Sequence, residues 1–240
     1  MTPLLYATLA ALGNVAGGLV VIQGARSGLR FIQGSLAFSA GFMIAVALLG
    51  MLPHAFEAGG DEAAVWVLIG YLLVHFTQHT LVPHFHFGEE THHVSKGTGY
   101  AAMGGLLLHM FFDGVAIASG FAVSPELGFL LFVAILLHKL PEGVTIASIQ
   151  LASGFGGRAA LTSAALLGSA TVVGVVVHDA VVFLAAHGLA LSAGVTIYVA
   201  ASNLVPEFQH KRGRWLPLMF FVGAGSYFIA RMLLGTGGIG

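Results

Sequence analysis

Two stretches of this chain repeat one phrase, His109-Met-Phe-Phe-Asp113-Gly-Val-Ala-Ile-Ala-Ser119 and His138-Lys-Leu-Pro-Glu142-Gly-Val-Thr-Ile-Ala-Ser148. Six of the eleven positions are identical, and a seventh exchanges one carboxylate for another. In each phrase the histidine and the carboxylate stand four apart, so on a helix they project from one face about one turn from each other. Two imidazoles and two carboxylates form a mixed nitrogen and oxygen ligand set that suits Zn2+ first, with Fe2+, Mn2+ or Cd2+ behind it. The chain has no cysteine, so thiolate sites are excluded and Cu(I) is disfavoured.

The elements that must position these residues are set by composition. The chain is 57% hydrophobic and only 8% charged, against about 25% charged residues in a soluble domain. Its main solvent is therefore lipid. A helical span takes about 20 apolar residues, and apolar runs fall near residues 3–23, 34–56, 63–83, 100–122, 127–151, 160–186, 189–208 and 215–236. The expectation is an all-α integral membrane protein, one domain over residues 1–240, with eight transmembrane helices and turns at 123–126 and 187–189. The first run lacks a signal peptide's basic flank and cleavage site and reads as a retained span. A net charge of -1 excludes a partner bound through nucleic-acid phosphates. Placing both termini outside puts Arg26, Arg30, Lys96, Arg158, Lys211, Arg212 and Arg214 in inner loops, and Glu57, Asp61, Glu62 and Glu126 in outer ones.

A connection of a few residues makes the fourth and fifth spans antiparallel, and each phrase lies near mid-span, so the four ligands meet at the membrane midplane. An ionisable side chain at that depth costs about 2.5–3.5 kcal/mol on insertion scales, and a bound dication offsets most of this. Gly114 and Gly143, directly after the carboxylates, let a neighbouring backbone approach. Pro141 leaves the Leu137 carbonyl without its helical donor. Broken helices with polar midplane residues are a transporter design.

A weaker echo joins Met51-Leu-Pro-His54-Ala-Phe-Glu57 to Leu204-Val-Pro-Glu207-Phe-Gln-His210. The first lies near the outer end of the second span and the second near the inner end of the seventh, which gives the chain an inverted-repeat character. His54 and Glu57 would then line an outer mouth and Glu207 and His210 an inner one; ordinary helix-end polarity is the alternative. The segment 84–99 reads as a cytoplasmic His-rich loop between the third and fourth helices, where His84, His86, His92 and His93 either gather metal loosely or form a solvated polar loop. His75 and His79 extend that tract or mark the membrane interface. Asp179 and Arg231 are expected to neutralise each other inside the bilayer.

At these residues the chain resembles the ZIP family of zinc and iron transporters. The family's fourth-helix pattern, His-Asn-x-x-(Asp/Glu)-Gly, is matched by His109, Asp113 and Gly114, and its fifth-helix pattern, His-x-x-Pro-(Glu/His), by His138, Pro141 and Glu142. Eight spans, outward termini and a His-rich inner loop agree with the family's layout. The resemblance implies metal uptake toward the cytoplasm by alternating exposure of a midplane site of His109, Asp113, His138 and Glu142, in a homodimer in a prokaryotic cell membrane. It also implies Met43 as a weaker fifth ligand, with a plain core methionine as the alternative. The chain departs from two-metal members at Met110 and Lys139, the positions after each histidine, and at Thr171 in the sixth helix. A lysine there repels a second dication and holds Asp113 and Glu142 ionised, so the expectation is one transported metal and no organic cofactor; snorkelling of Lys139 is the alternative.

Two other classes of function fit parts of the pattern. An intramembrane hydrolase also holds zinc with His and Asp, but a His-Glu-x-x-His motif and a Gly-x-Ser-x-Gly elbow are both missing. A metal sensor or scaffold would use the His-rich loop and leave the duplicated midplane site unexplained. The expectation is accordingly a transporter rather than an enzyme.

Overall fold

The computed structural model describes residues 2–24, 29–78, 96–209 and 213–234, and every regular element among them is helical. Eight helices follow in order: α1 (Pro3–Ile22), α2, α3 (Glu62–Phe76), α4 (Lys96–Val123), α5 (Pro125–Ala152), α6 (Gly157–Ala180), α7 and α8 (Trp215–Leu233). Helix α2 runs through Leu29–Val46, a π-helical turn Ala47–Met51 and Leu52–Gly59; α7 runs through Val182–Tyr198, a π-helical turn Val199–Leu204 and Val205–Gln209. Seven of the eight are long and apolar enough to cross a membrane, while Glu62–Phe76 is a shorter apolar helix.

The helix starts follow from local chemistry. Between α4 and α5, the Ser124 side chain accepts a hydrogen bond from the Leu127 amide at 3.1 Å, with Pro125 at the first helical position and Glu126 in the first turn. The turn expected at 187–189 is not there. The chain breaks at Val181, whose backbone is extended (φ -117, ψ 106) and whose carbonyl accepts from the amides of Leu184 and Ala185. A β-branched residue favours that conformation. Gly188 instead lies buried within α7, where a missing side chain serves close packing rather than a turn.

Four pairs of helices cross on reciprocal glycines. The pairs are α1/α5 (Gly17 and Gly143), α4/α6 (Gly114 and Gly174), α2/α8 (Gly41 and Gly223) and α3/α7 (Gly70 and Gly194). In every pair, a Cβ on either glycine would fall onto the carbonyl oxygen three residues before the partner's glycine: Leu140 and Asn14, Thr171 and Phe111, Phe220 and Phe38, Leu191 and Val67. Lipid gives no hydrophobic drive between helices, so backbone approach and dispersion must hold them, and only glycine permits this approach. The crossings sort the chain into two groups. Helices α1, α4, α5 and α6 pack on one another, with Gly18 against Ala164 and Gly168 against Ala11 closing α1 on α6. Helices α2, α3, α7 and α8 form the other group.

The four crossings also display the inverted repeat. Exchanging α1 with α6, α2 with α7, α3 with α8 and α4 with α5 maps each crossing onto another. The π-helical turns obey the same exchange, each followed two residues later by a proline, Pro53 in α2 and Pro206 in α7. Because α2 and α7 run in opposite directions through the bundle, the two turns lie toward opposite ends.

Candidate metal site

The two repeated phrases meet where α4 and α5 pack side by side. His109, Asp113, His138 and Glu142 are all buried, and each offers one ligand atom such that these atoms lie within 4.8 Å of one another. His109 Nε2 is 2.9 Å from Glu142 Oε1 and 3.5 Å from Asp113 Oδ2, while His138 Nε2 is 3.2 Å from Asp113 Oδ2 and 3.7 Å from Glu142 Oε1. Each imidazole thus meets the carboxylate of its own helix and, more closely, that of the other. The rings lie 5.7 Å apart at 28°.

One outer hydrogen bond orients His138, while His109 Nδ1 is buried without a partner. His138 Nδ1 lies 2.9 Å from the Ala134 carbonyl, which only accepts, so Nδ1 carries the proton and the lone pair of a neutral ring sits on Nε2. That lone pair faces a carboxylate oxygen, an arrangement of two acceptors that needs a proton or a metal ion between them. Histidine fixed through one nitrogen to a carbonyl, with the other free to ligate, is the usual metal-binding arrangement.

Lys139 sits inside the same cluster and is fully buried. Its Nζ donates to Asp113 Oδ2 at 2.5 Å, to the Met110 sulfur at 2.7 Å and toward Glu142 Oε2 at 3.5 Å. The ammonium therefore pairs with both carboxylates rather than snorkelling to the membrane surface. Asn14, which the sequence reading did not single out, donates from Nδ2 to the Lys139 carbonyl at 3.1 Å and is itself buried. Its signal was present: a lone amide in the middle of an apolar span must find a partner. Ser192 on α7 was also missed; its hydroxyl donates to the Phe112 carbonyl at 3.1 Å, tying α7 to α4 one residue from Asp113.

The remaining candidates lie apart. Met43 is buried on α2, a helix packed against α5. The His54 Nδ1 donates to the Gly50 carbonyl at 2.7 Å within the π-helical stretch, and Glu57 is exposed near the end of α2. Glu207 falls in the last helical segment of α7. His79, His84, His86, His92, His93 and His210 lie outside the described residues, while His75 meets the Tyr198 ring at 5.8 Å. Asp179, expected inside the bilayer as a partner of Arg231, meets His178. Because α6 ends at Ala180, Asp179 reaches the bundle end, 72% exposed, and is held by its neighbour His178 at 3.0 Å.

A bundle of apolar helices with two histidines and two carboxylates converging within it defines a polytopic membrane protein with a buried cluster of metal-type ligands. The model of the ZIP zinc transporter family matches residues 98–231, more than half of the chain, and the chain belongs to that family. It is similar to the zinc transporter ZIP13 of Pongo abelii, 26% identical over 203 residues, covering 76% of this chain and 60% of that protein. It is similar to the zinc transporter ZupT of Salmonella heidelberg (strain SL476), 28% identical over 222 residues and 86% of each chain. A third relative is the zinc transporter ZIP6 of Homo sapiens, 29% identical over 174 residues, 65% of this chain and 22% of that protein. The chain thus spans less than two thirds of the ZIP13 and ZIP6 relatives and most of ZupT.

Proposed function

We propose that this chain carries divalent transition metal ions across a membrane, zinc first and Fe2+, Mn2+ or Cd2+ with less preference, toward the cytoplasm. The observation that supports this most is the buried cluster of His109, Asp113, His138 and Glu142, whose ligand atoms lie within 4.8 Å of one another. The names of the relatives, zinc transporters all, support transport over hydrolysis. Both termini face outward, the membrane is a prokaryotic cell membrane, and the working unit is a homodimer.

One metal is carried at a time. With neutral histidines, the two carboxylates and Lys139 leave the vacant cluster at a net charge of -1, and a dication brings it to +1. A site so charged binds a dication without trapping it, which suits release. Lys139 takes the position of a second cation, and Met43 completes the metal's coordination from α2. Alternating exposure follows from the two helix groups: α4 and α5 carry the ion, and α2 and α7, with their π-helical turns, supply the walls that shift. His54 and Glu57 serve one mouth, Glu207 and His210 the other. In the segment 84–99, His84, His86, His92 and His93 collect metal on the cytoplasmic side.

The test is metal flux into liposomes holding the purified chain, comparing zinc, iron(II), manganese and cadmium. Saturable flux is expected, and loss of it in Asp113→Ala/Glu142→Ala. Flux that survives in that variant would sink the proposal.

A further inference from the structure

Where α6 ends, a second histidine and carboxylate stand apart from the central cluster. The His178 side chain is 5% exposed and the adjacent Asp179 side chain 72% exposed, with Nδ1 3.0 Å from Oδ1. The carboxylate only accepts, so Nδ1 carries the proton and Nε2 keeps the lone pair. Nε2 is buried and has no hydrogen-bond partner. Ser119 Oγ, at the end of the first repeated phrase, is buried and without a partner as well.

The two orphaned groups come close to one point on α7. A Cβ on Gly188 of α7 would stand 2.7 Å from Ser119 Oγ and 3.3 Å from His178 Cδ2. Here α4, α6 and α7 come together, so the pair lies between the helix group that holds the central cluster and the one that does not. Asp179 and Ala118, the neighbours of the pair in sequence, line a cavity of about 480 Å³ together with Pro3, Tyr6, Phe121 and Pro125. The final carbonyls of α6 add negative potential at this end, which favours a cation.

An imidazole oriented by a carboxylate through one nitrogen, with the other nitrogen open, is the arrangement of metal-ligating histidines. The geometry points to His178 Nε2 and Ser119 Oγ as a second site for a divalent transition metal, oriented by Asp179, a staging position between the cavity and the central cluster. The inference rests on the transport reading. Two protein ligands and water hold an ion briefly, as a staging position requires. Any side chain at 188 would crowd both groups.

The chain contains no cysteine, which gives a clean reporter. Purified Ser119→Cys protein is titrated with cadmium alone, and the thiolate-to-cadmium charge-transfer absorption is read. We expect a saturable band, with half-saturation raised about tenfold by Asp179→Asn and further by His178→Ala. The band should persist in Asp113→Ala/Glu142→Ala, separating this site from the central one. No band in monodisperse Ser119→Cys protein, or a band indifferent to His178→Ala, overturns the inference. Should Ser119→Cys not fold, zinc flux in the otherwise native chain decides: His178→Ala is expected to raise half-saturation with little change in maximal rate. Unchanged half-saturation overturns the site. Failure of the transport reading would look different, with wild-type flux absent while the cadmium band remained.

Discussion

The two groups of helices share one packing device and use it for opposite ends. In α1, α4, α5 and α6 the glycine crossings lie beside the only buried cluster of metal-type ligands among the described residues, because Gly114 and Gly143 directly follow Asp113 and Glu142. In α2, α3, α7 and α8 the same crossings sit among Phe38, Phe220, Val67 and Leu191, with no ionisable group at the contact. The helices around the ligands run α-helical through the site; the interrupted ones, α2 and α7, are in the other group. The contrast teaches that ligand geometry is fixed by continuous helices locked backbone to backbone, while the irregular backbone is placed across the interface from them. A π-helical turn followed by proline loosens the hydrogen-bond ladder; in α5 Pro141 interrupts it between His138 and Glu142 with no π-helical turn.

Substitution at the crossings tests this contrast most severely. In Gly143→Leu the new side chain meets the Asn14 backbone, which cannot yield, and overpacking of this kind costs about 1–3 kcal/mol or more. Both folded yield and metal binding are expected to fall, measured by monodispersity and zinc titration. Gly223→Leu should lower folded yield to a similar degree and leave zinc affinity of the folded fraction unchanged. Equal loss of affinity in both would erase the distinction between the groups.

Lys139→Met is the next step down. Removing an ammonium 2.5 Å from Asp113 removes a repulsion on the incoming dication that amounts to about 8 kcal/mol at 4 Å and an effective dielectric of 20, twice the value for two unit charges. Zinc affinity is expected to rise about tenfold or more, with slower turnover. Chelator competition reads the first and flux the second. Weaker binding would mean that Lys139 chiefly holds the carboxylates in place.

A smaller effect is expected from pH. On the proposed reading metal takes imidazole nitrogens that protons also take, so acidification competes with metal binding. Half-saturating zinc for flux should rise between pH 7.5 and 5.5. A steady gain in uptake on acidification would point to proton-driven cycling.

Much of the site was legible because both halves of it are local. The four-residue spacing within each phrase placed each pair on one helix face, and the short Ser124–Pro125 connection brought the faces together. Lys139 was legible as a departure from the family pattern; that its ammonium pairs with both carboxylates required the fold. What was not legible depended on distant contacts. His187-Gly188 looked like a turn because glycine commonly makes one, yet Gly188 is needed where α7 passes Ser119 and His178, and the extended Val181 broke the helix instead. That one boundary puts Asp179 at the end of α6 rather than within a span running on to residue 186. Nothing local marked Gly17 or Gly174 as the reciprocals of Gly143 and Gly114, since the partner lies on another helix.

The smallest expected effect concerns the His-rich segment. Removing residues 84–93 deletes His84, His86, His92 and His93 from the connection before α4, which begins at Lys96. The central residues are His109 and beyond, more than three helical turns further on; they contact one another across α4 and α5, while α1 and α7 bond the neighbouring Lys139 and Phe112 carbonyls. Metal stoichiometry at the central cluster should therefore persist in the deletion, while flux rate changes modestly. The two quantities come apart because a His-rich segment raises the local metal concentration without contributing a ligand to the central cluster. Loss of the central stoichiometry on deletion would show that the loop reaches into the bundle, and the separation between a rigid coordinating group and its surroundings would have to be redrawn.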